Sequence, residues 1–354
     1  MADLPAGHPY GAHRVLAPAG ALPQAAERLD ADATKRFRDE LHIEVETLNV
    51  DSASMRQLEE EQGGDPVRVG QRIAEIVLAR GKLENPVTGS GGMLLGRVSF
   101  VGKAVRERFG VAVGDRVATL VSLTLTPLSL RRVLEVRLDT HQVTVEGTAI
   151  LFASGMLARL PTDLPERLAL AALDVAGAAP QVLRLAAPGD SVLVLGCGGK
   201  SGLLCAAAAR RRVGAGGVVI GVERHAPSAE AARRLGHCSV VIDADAADPL
   251  DTVARVLAAA PPSVRAADGF DLVVSCVNVA SAELGAILAT RPRGRVYFFS
   301  MATSFARAAL GAEGLSRDID MLVGNGYCEG HAAATLTLLR EEPALRAELE
   351  RRLG

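Results

Sequence analysis

Residues 189–202, Gly-Asp-Ser-Val-Leu-Val-Leu-Gly-Cys-Gly-Gly-Lys-Ser-Gly, constrain this chain more than any other stretch. The apolar run Val192 to Leu195 reads as a buried parallel strand. A glycine cluster follows it at Gly196, Gly198, Gly199 and Gly202, and then an alanine-rich helical stretch from Leu203 to Val213. Strand, glycine turn and helix together aim backbone N–H groups and a helix N-terminus at a pyrophosphate. The strict G-x-G-x-x-G spacing fails at Ser201, whereas G-x-x-G-x-x-G through Gly196, Gly199 and Gly202 fits. A tight structural turn has the same composition, so context decides. The next apolar run, Gly217 to Val222, ends in Glu223, 21 residues after Gly202. An acid at that spacing binds the ribose hydroxyls of a dinucleotide.

The rest of the chain alternates in the same way. Strands are expected near 192–195, 218–222, 239–242, 271–276, 295–300 and 320–323, with helical segments between them. That is a doubly wound parallel sheet, a Rossmann domain placed at 159–330. Helical segments from Pro165 to Leu185 lead into it. Upstream, His42–Val50, Met93–Val101, Arg116–Leu125, Val133–Leu138, Gln142–Val145 and Ala149–Phe152 read as short strands between Gly and Pro breaks. Helical spacing covers 53–61 and 65–80. The region 1–158 is therefore expected to be a β-rich barrel domain. The segment 331–354 reads as charged amphipathic helices that pack back on it.

Composition excludes several classes. The net charge is −2 and aromatics are 3%, without tryptophan, which argues against nucleic-acid binding. No apolar run reaches the length of a membrane span, and the first residues lack a secretory core. All five cysteines lie at or after Cys197, with no C-x-x-C pair, which points to a reducing, cytoplasmic setting. Cys197 itself reads as a small buried side chain. The seven histidines show no ligand spacing, and no metal is expected.

A β domain followed by a nucleotide sheet resembles the medium-chain dehydrogenase/reductase superfamily. The matching pieces are Leu95-Gly-Arg-Val98, Val113-Gly-Asp-Arg-Val117, Pro188 to Gly196 and Gly294-Arg-Val296. Where zinc-bearing members hold Gly-His-Glu, this chain has Gly91-Gly92-Met93, and its first 196 residues contain no cysteine. The resemblance is thus to a zinc-free branch with a GroES-like first domain. Longer strings resemble the L-erythro-3,5-diaminohexanoate dehydrogenases of lysine fermentation: Leu48-Asn-Val-Asp-Ser-Ala-Ser54, Asn85 to Met93, Thr119 to Pro127, Leu173 to Ala178, Tyr297 to Ser304 and Asp320 to Tyr327. That resemblance implies NAD- or NADP-dependent oxidation of the C3 amine of (3S,5S)-3,5-diaminohexanoate, giving 5-amino-3-oxohexanoate and ammonium. A zinc-free quinone or enoyl reductase and a non-catalytic dinucleotide sensor are the alternatives. The resemblance also implies a homodimer, with the strand 295–300 near a sheet edge.

Such a substrate carries one carboxylate and two ammonium groups. Candidates to meet it are Asp51 and Ser52, which also read as helix caps, and Lys82 and Glu84 before the Gly-rich loop, which also read as a surface ion pair. Asp174, a carboxylate within the apolar stretch 168–179, is a candidate because a buried charge needs a partner. Ser54, Thr88 and Ser90 are weaker candidates, and Arg14 is a candidate clamp for the carboxylate. For the cofactor, Gly196, Gly199, Lys200, Ser201 and Gly202 are expected at the pyrophosphate. Glu223 is expected at the adenosine ribose, with Arg224 keeping NADP open. Asn278, Ser300 and Thr303 follow the fourth and fifth strands, where nicotinamide neighbours belong.

Overall fold

A computed structural model describes residues 4–279, 281–300, 302–324 and 326–353. The matched strings include Met301 and Asn325, which lie outside the described residues. The chain forms two compact units, Met1–Asp163 and Leu164–Gly354.

The first unit opens with the short pair β1 (Val15–Ala17) and β2 (Arg28–Leu29). Then come β3 (Glu40–Val50), α1 (Ser52–Glu61), α2 (Pro66–Arg80), β4 (Gly92–Val101) and α3 (Arg106–Phe109). The strands β5 (Arg116–Thr119), β6 (Leu128–Arg137), β7 (Gln142–Phe152) and β8 (Leu157–Arg159) complete it. Six of these strands form one antiparallel sheet in the order β6-β7-β3-β4-β5-β8. Along β3, Leu41, Ile43, Val45 and Leu48 enter the core, joined by Leu94 and Val98 of β4 and Val143 and Val145 of β7. Helix α2 starts where Asp65 accepts hydrogen bonds from Val67 N and Arg68 N, with Pro66 in the first turn. Its Val69, Ile73, Ile76 and Val77 recur at helical spacing and bury in the same core.

Two expectations change here. The strand expected over Arg116–Leu125 stops at Thr119. Beyond it, Thr124 N bonds Ser122 Oγ and Thr126 Oγ1 bonds Ser122 O, so side chains compete for the backbone and turn it. The three short strands expected over 133–152 are instead two long ones, β6 and β7.

The second unit begins with α4 (Glu166–Leu173) and α5 (Ala178–Leu185). The alternation then runs β9 (Ser191–Leu195), α6 (Lys200–Val213), β10 (Val218–Val222), α7 (Ala226–Leu235), β11 (Val240–Ile242), α8 (Pro249–Ala259) and α9 (Pro262–Ala266). It continues through β12 (Phe270–Ser275), α10 (Ala282–Ala289), β13 (Thr290–Phe298), α11 (Phe305–Gly314) and β14 (Asp320–Val323). All six strands pair in parallel in the order β11-β10-β9-β12-β13-β14. The order reverses at β9, the place where open α/β sheets bind their ligands. The edge strand is β14, so the stretch 295–300 sits one place inside the edge.

The C-terminal helices α12 (His331–Glu341) and α13 (Pro343–Leu353) were expected on the first domain. They pack instead on α4, α5, α6 and α7. Leu336, Leu338, Leu339, Leu345 and Leu349 bury there, and Thr335 Oγ1 bonds Ala176 O at 2.8 Å. An apolar helix face docks where apolar surface is on offer, and the alanine- and leucine-rich faces of α4 to α6 provide it. No single helix among the described residues is long and apolar enough to cross a membrane.

Candidate functional site

In the second unit the site is built on the turn after β9. Gly196 adopts φ +74°, which glycine takes without strain. Gly196 N and Cys197 N both bond Val222 O, which ties the turn to the end of β10. A Cβ on Gly202 would overlap Gly196 O, so helix and turn approach as closely as glycine permits. Gly199 is the N-cap of α6 and offers no side-chain acceptor to the first turn. The N–H groups of Lys200, Ser201 and Gly202 are thus presented at the positive end of a 14-residue helix. No atom comes nearer than 3.6 Å to a Cβ built on Gly199, so the face beside the turn is open. These residues fit a dinucleotide pyrophosphate.

Glu223 is held on the same turn. Its Oε2 accepts from Gly198 N at 3.1 Å and its Oε1 from His225 N at 3.0 Å. Arg224 points elsewhere and pairs with Asp245 at 2.9 Å. At the ends of β12 and β13, Ser300 Oγ donates to Asn278 Oδ1 at 3.4 Å, and Thr303 N bonds Ser300 O. Cys197 is fully buried against Gly221, and a hydrogen bond with Cys238, together with burial, pushes its thiol far up. Two of the proposed site residues, Asp174 and Lys200, touch: Nζ lies 2.5 Å from Oδ2.

Asp174 was expected within the apolar helical stretch 168–179 or as a cap on the turn before Gly177. It is the C-cap of α4, and the chain breaks at 174–177. Gly177 is the N-cap of α5, and a side chain there would overlap Gly326 O. Arg352, which no sequence signal singled out, donates to Gly198 O at 2.7 Å and to Glu348.

In the first unit, Asp51 is the N-cap of α1, yet its side chain does not cap the helix. Its Oδ2 accepts from Gly91 N at 3.2 Å, and so it ties the start of α1 to the loop 85–92. Ser54 Oγ meets Thr88 Oγ1 at 2.7 Å and Ser90 Oγ at 2.6 Å, and the last two are 3.2 Å apart. Asn85 supports the loop: its Oδ1 accepts from Val87 N and Thr88 N, and its Nδ2 reaches Gln57. Ser52 Oγ lies 3.1 Å from Nδ1 of His141, in the turn between β6 and β7. Sequence reasoning missed His141, since 89 residues separate the two.

Lys82 and Glu84 are not part of this cluster. The Lys82 ammonium is fully buried, bonds Pro23 O at 3.0 Å and pairs with Glu84 Oε2 at 2.5 Å. Burial pulls its pKa down and Glu84 opposes that shift. Arg80 also binds Glu84. Nor is Arg14 an open clamp. It is 1% exposed and bonds both oxygens of Glu40, together with Asp32 O and Lys35 O. His13 and His42 complete the ring of donors around Glu40. Among the described residues no group of three or more His, Cys, Asp or Glu could hold a metal ion.

Comparison with known proteins places this architecture. The N-terminal domain of L-erythro-3,5-diaminohexanoate dehydrogenase matches residues 13–161. The L-erythro-3,5-diaminohexanoate dehydrogenase of Acetoanaerobium sticklandii is 48% identical over 345 residues, 98% of each chain. That of Fusobacterium nucleatum subsp. nucleatum is 49% identical over 340 residues, 96% of this chain and 97% of its own. Among solved structures, the quinone oxidoreductase from Coxiella burnetii aligns with a TM-score of 0.53 at 17% identity, covering 90% of this chain and 88% of its own. A mycobacterial protein complexed with NADPH aligns with a TM-score of 0.55 at 19% identity, covering 89% of each chain. These structures share the medium-chain dehydrogenase/reductase fold. By its near end-to-end identity to the two curated enzymes, the chain belongs to the L-erythro-3,5-diaminohexanoate dehydrogenase family.

Proposed function

We infer that this protein is an NAD(P)-dependent dehydrogenase that oxidatively deaminates (3S,5S)-3,5-diaminohexanoate to 5-amino-3-oxohexanoate and ammonium. The observation that carries the reading is the 48–49% identity to L-erythro-3,5-diaminohexanoate dehydrogenases over nearly the whole chain. The bare N-terminus of α6 and the preset Glu223 supply what the cofactor needs. Glu223 faces its turn as a charged acceptor suited to ribose hydroxyls, which supports NAD over NADP.

The chemistry sets the tasks of the residues. An alkylammonium has a pKa of about 10, so its proton must leave before nitrogen can push a hydride from C3. The bound nicotinamide supplies the hydride acceptor. Asp51 and the hydroxyls of Ser54, Thr88 and Ser90 form an anionic, acceptor-rich edge suited to hold an ammonium. A quinone site would call for an apolar wall instead. The Ser52–His141 hydrogen bond offers a route for the proton, with imidazole as the base and the hydroxyl as the relay. Water then adds to the imine carbon and ammonia leaves, and the same groups return the proton.

The edge strand β14 exposes Met321 and Val323, which supports pairing with a second copy as a homodimer. Five free cysteines, four of them buried, support a reducing cytoplasmic setting. The test is reduction of NAD and NADP, run separately, by purified protein with 3,5-diaminohexanoate and a chelator, with ammonium release measured alongside. Chelator-resistant turnover is the expected result. Silence from protein that binds a cofactor would overturn the reading.

A further inference from the structure

Asp174 and Lys200 are each set against the local field. Asp174 closes α4, where the last carbonyls carry partial negative charge. Lys200 opens α6, where the first N–H groups carry partial positive charge. Each side chain is therefore repelled by its own helix end and drawn to the other's. Their 2.5 Å contact answers both conflicts. The side chains of Lys200 and Asp174 remain 34% and 28% exposed, so a third charge can reach either partner. A pyrophosphate on the first turn of α6 brings two negative charges to Lys200, against one on Asp174. The neighbouring cation, Arg352, is already fixed by Gly198 O and Glu348.

We propose that the dinucleotide exchanges partners at this pair: its pyrophosphate takes Lys200, and the released Asp174 carboxylate receives an ammonium group of the diamine. Asp174 is then a substrate-selecting residue made available by the cofactor, and the cofactor binds first. The proposal rests on the dehydrogenase reading above.

Calorimetry on the intact protein tests it without turnover. The probe is ADP-ribose, which has the pyrophosphate and lacks the nicotinamide. Saturating ADP-ribose should tighten 3,5-diaminohexanoate binding about 10-fold, within the usual range of coupling between sites. Adenosine, without phosphates, should not. In Lys200→Met the diamine should bind equally with and without ADP-ribose, while ADP-ribose itself binds about 10-fold more weakly. Lys200→Arg should restore the coupling. Asp174→Asn should lose the enhancement yet bind ADP-ribose at least as tightly as wild type. Melting curves confirm that each variant is folded. Equal diamine affinity of the wild type with and without ADP-ribose would overturn the exchange. So would an Asp174→Asn variant that loses ADP-ribose as severely as Lys200→Met, since that marks a purely structural pair. If the wild type still oxidises the diamine in either case, the dehydrogenase reading survives and the exchange alone falls.

Discussion

Arg14 and Glu40 in the first unit are joined by two N–H···O bonds, both side chains fully buried, with His13, His42 and two carbonyls filling the remaining sites. Lys200 and Asp174 in the second unit meet through Nζ and Oδ2, with about a third of each side chain in solvent. Both are opposite charges in contact, and sequence marks Arg14, Asp174 and Lys200 as candidates for substrate or cofactor. Saturation separates them. A buried pair in which Arg14 makes four hydrogen bonds and Glu40 meets Arg14, His13 and His42 leaves no room for a ligand, whereas a half-open pair standing against two helix fields can exchange one partner for a better one.

The largest effect should come from breaking the saturated pair. Arg14→Met leaves the Glu40 carboxylate buried without its main partner and should destabilise the first unit by about 3–5 kcal/mol in denaturant unfolding. A loss under about 1 kcal/mol would mean that His13 and His42 alone can carry the charge. The same network predicts a pH response. Its donors hold Glu40 well below the usual carboxylate range against burial, which pushes the other way. A depressed folded-state pKa gives stability that is present above the ordinary value of 4.5 and is lost as pH falls below it. Glu40→Gln should flatten that acid limb of the stability curve, at the cost of lower stability at neutral pH.

Breaking the open pair should act on function. Asp174→Asn should lower kcat/KM for the diamine about 100-fold, or ~2.7 kcal/mol, with a melting temperature close to wild type. A large loss of stability with unchanged kinetics would place this pair in the same class as Arg14–Glu40. Glu223 lies between the two cases, pinned by two backbone N–H groups yet beside an open turn. Glu223→Gln should weaken NAD binding about 10-fold while weakening NADP less, because hydrogen bonds to a charged acceptor are worth roughly 1.5–3 kcal/mol. The smallest effect is the stability change of Lys200→Met, expected within ~0.5 kcal/mol as for other exposed pairs.

Sequence exposed the second unit more fully than the first for a physical reason. Parallel strands buried on both faces are continuous apolar runs, and β9, β10 and β12 lie within a residue or two of where such runs predict them. Antiparallel strands with one wet face alternate, so the arginines and glycine within β6 and β7 read as breaks where the strands continue. The glycine turn and Glu223 were legible because their spacing is local. Lys82 and Arg14 misled because a rare or isolated cation looks the same in sequence whether it ends in water or against buried carbonyls. The hidden partners were long-range: His141 meets Ser52 across 89 residues, and Arg352 meets Gly198 across 154. No periodicity reports such contacts. Asp174 was legible in two ways, as a charge within an apolar helical stretch or as a cap on the turn before Gly177, and it stands as the C-cap of α4.

Ser54, Thr88 and Ser90 close a triangle in which either atom of each pair can donate. Such a ring has two senses, in which each hydroxyl donates to the next or to the previous one. Passing from one to the other needs only rotation about three C–O bonds and moves no heavy atom. Ser54 Oγ also reaches Ser90 O at 3.3 Å, so the backbone sets which of the two senses is preferred. Thr88 Oγ1 also accepts from Ser90 N at 3.3 Å, whereas Ser54 and Ser90 each keep one lone pair for a cation in either sense of the ring.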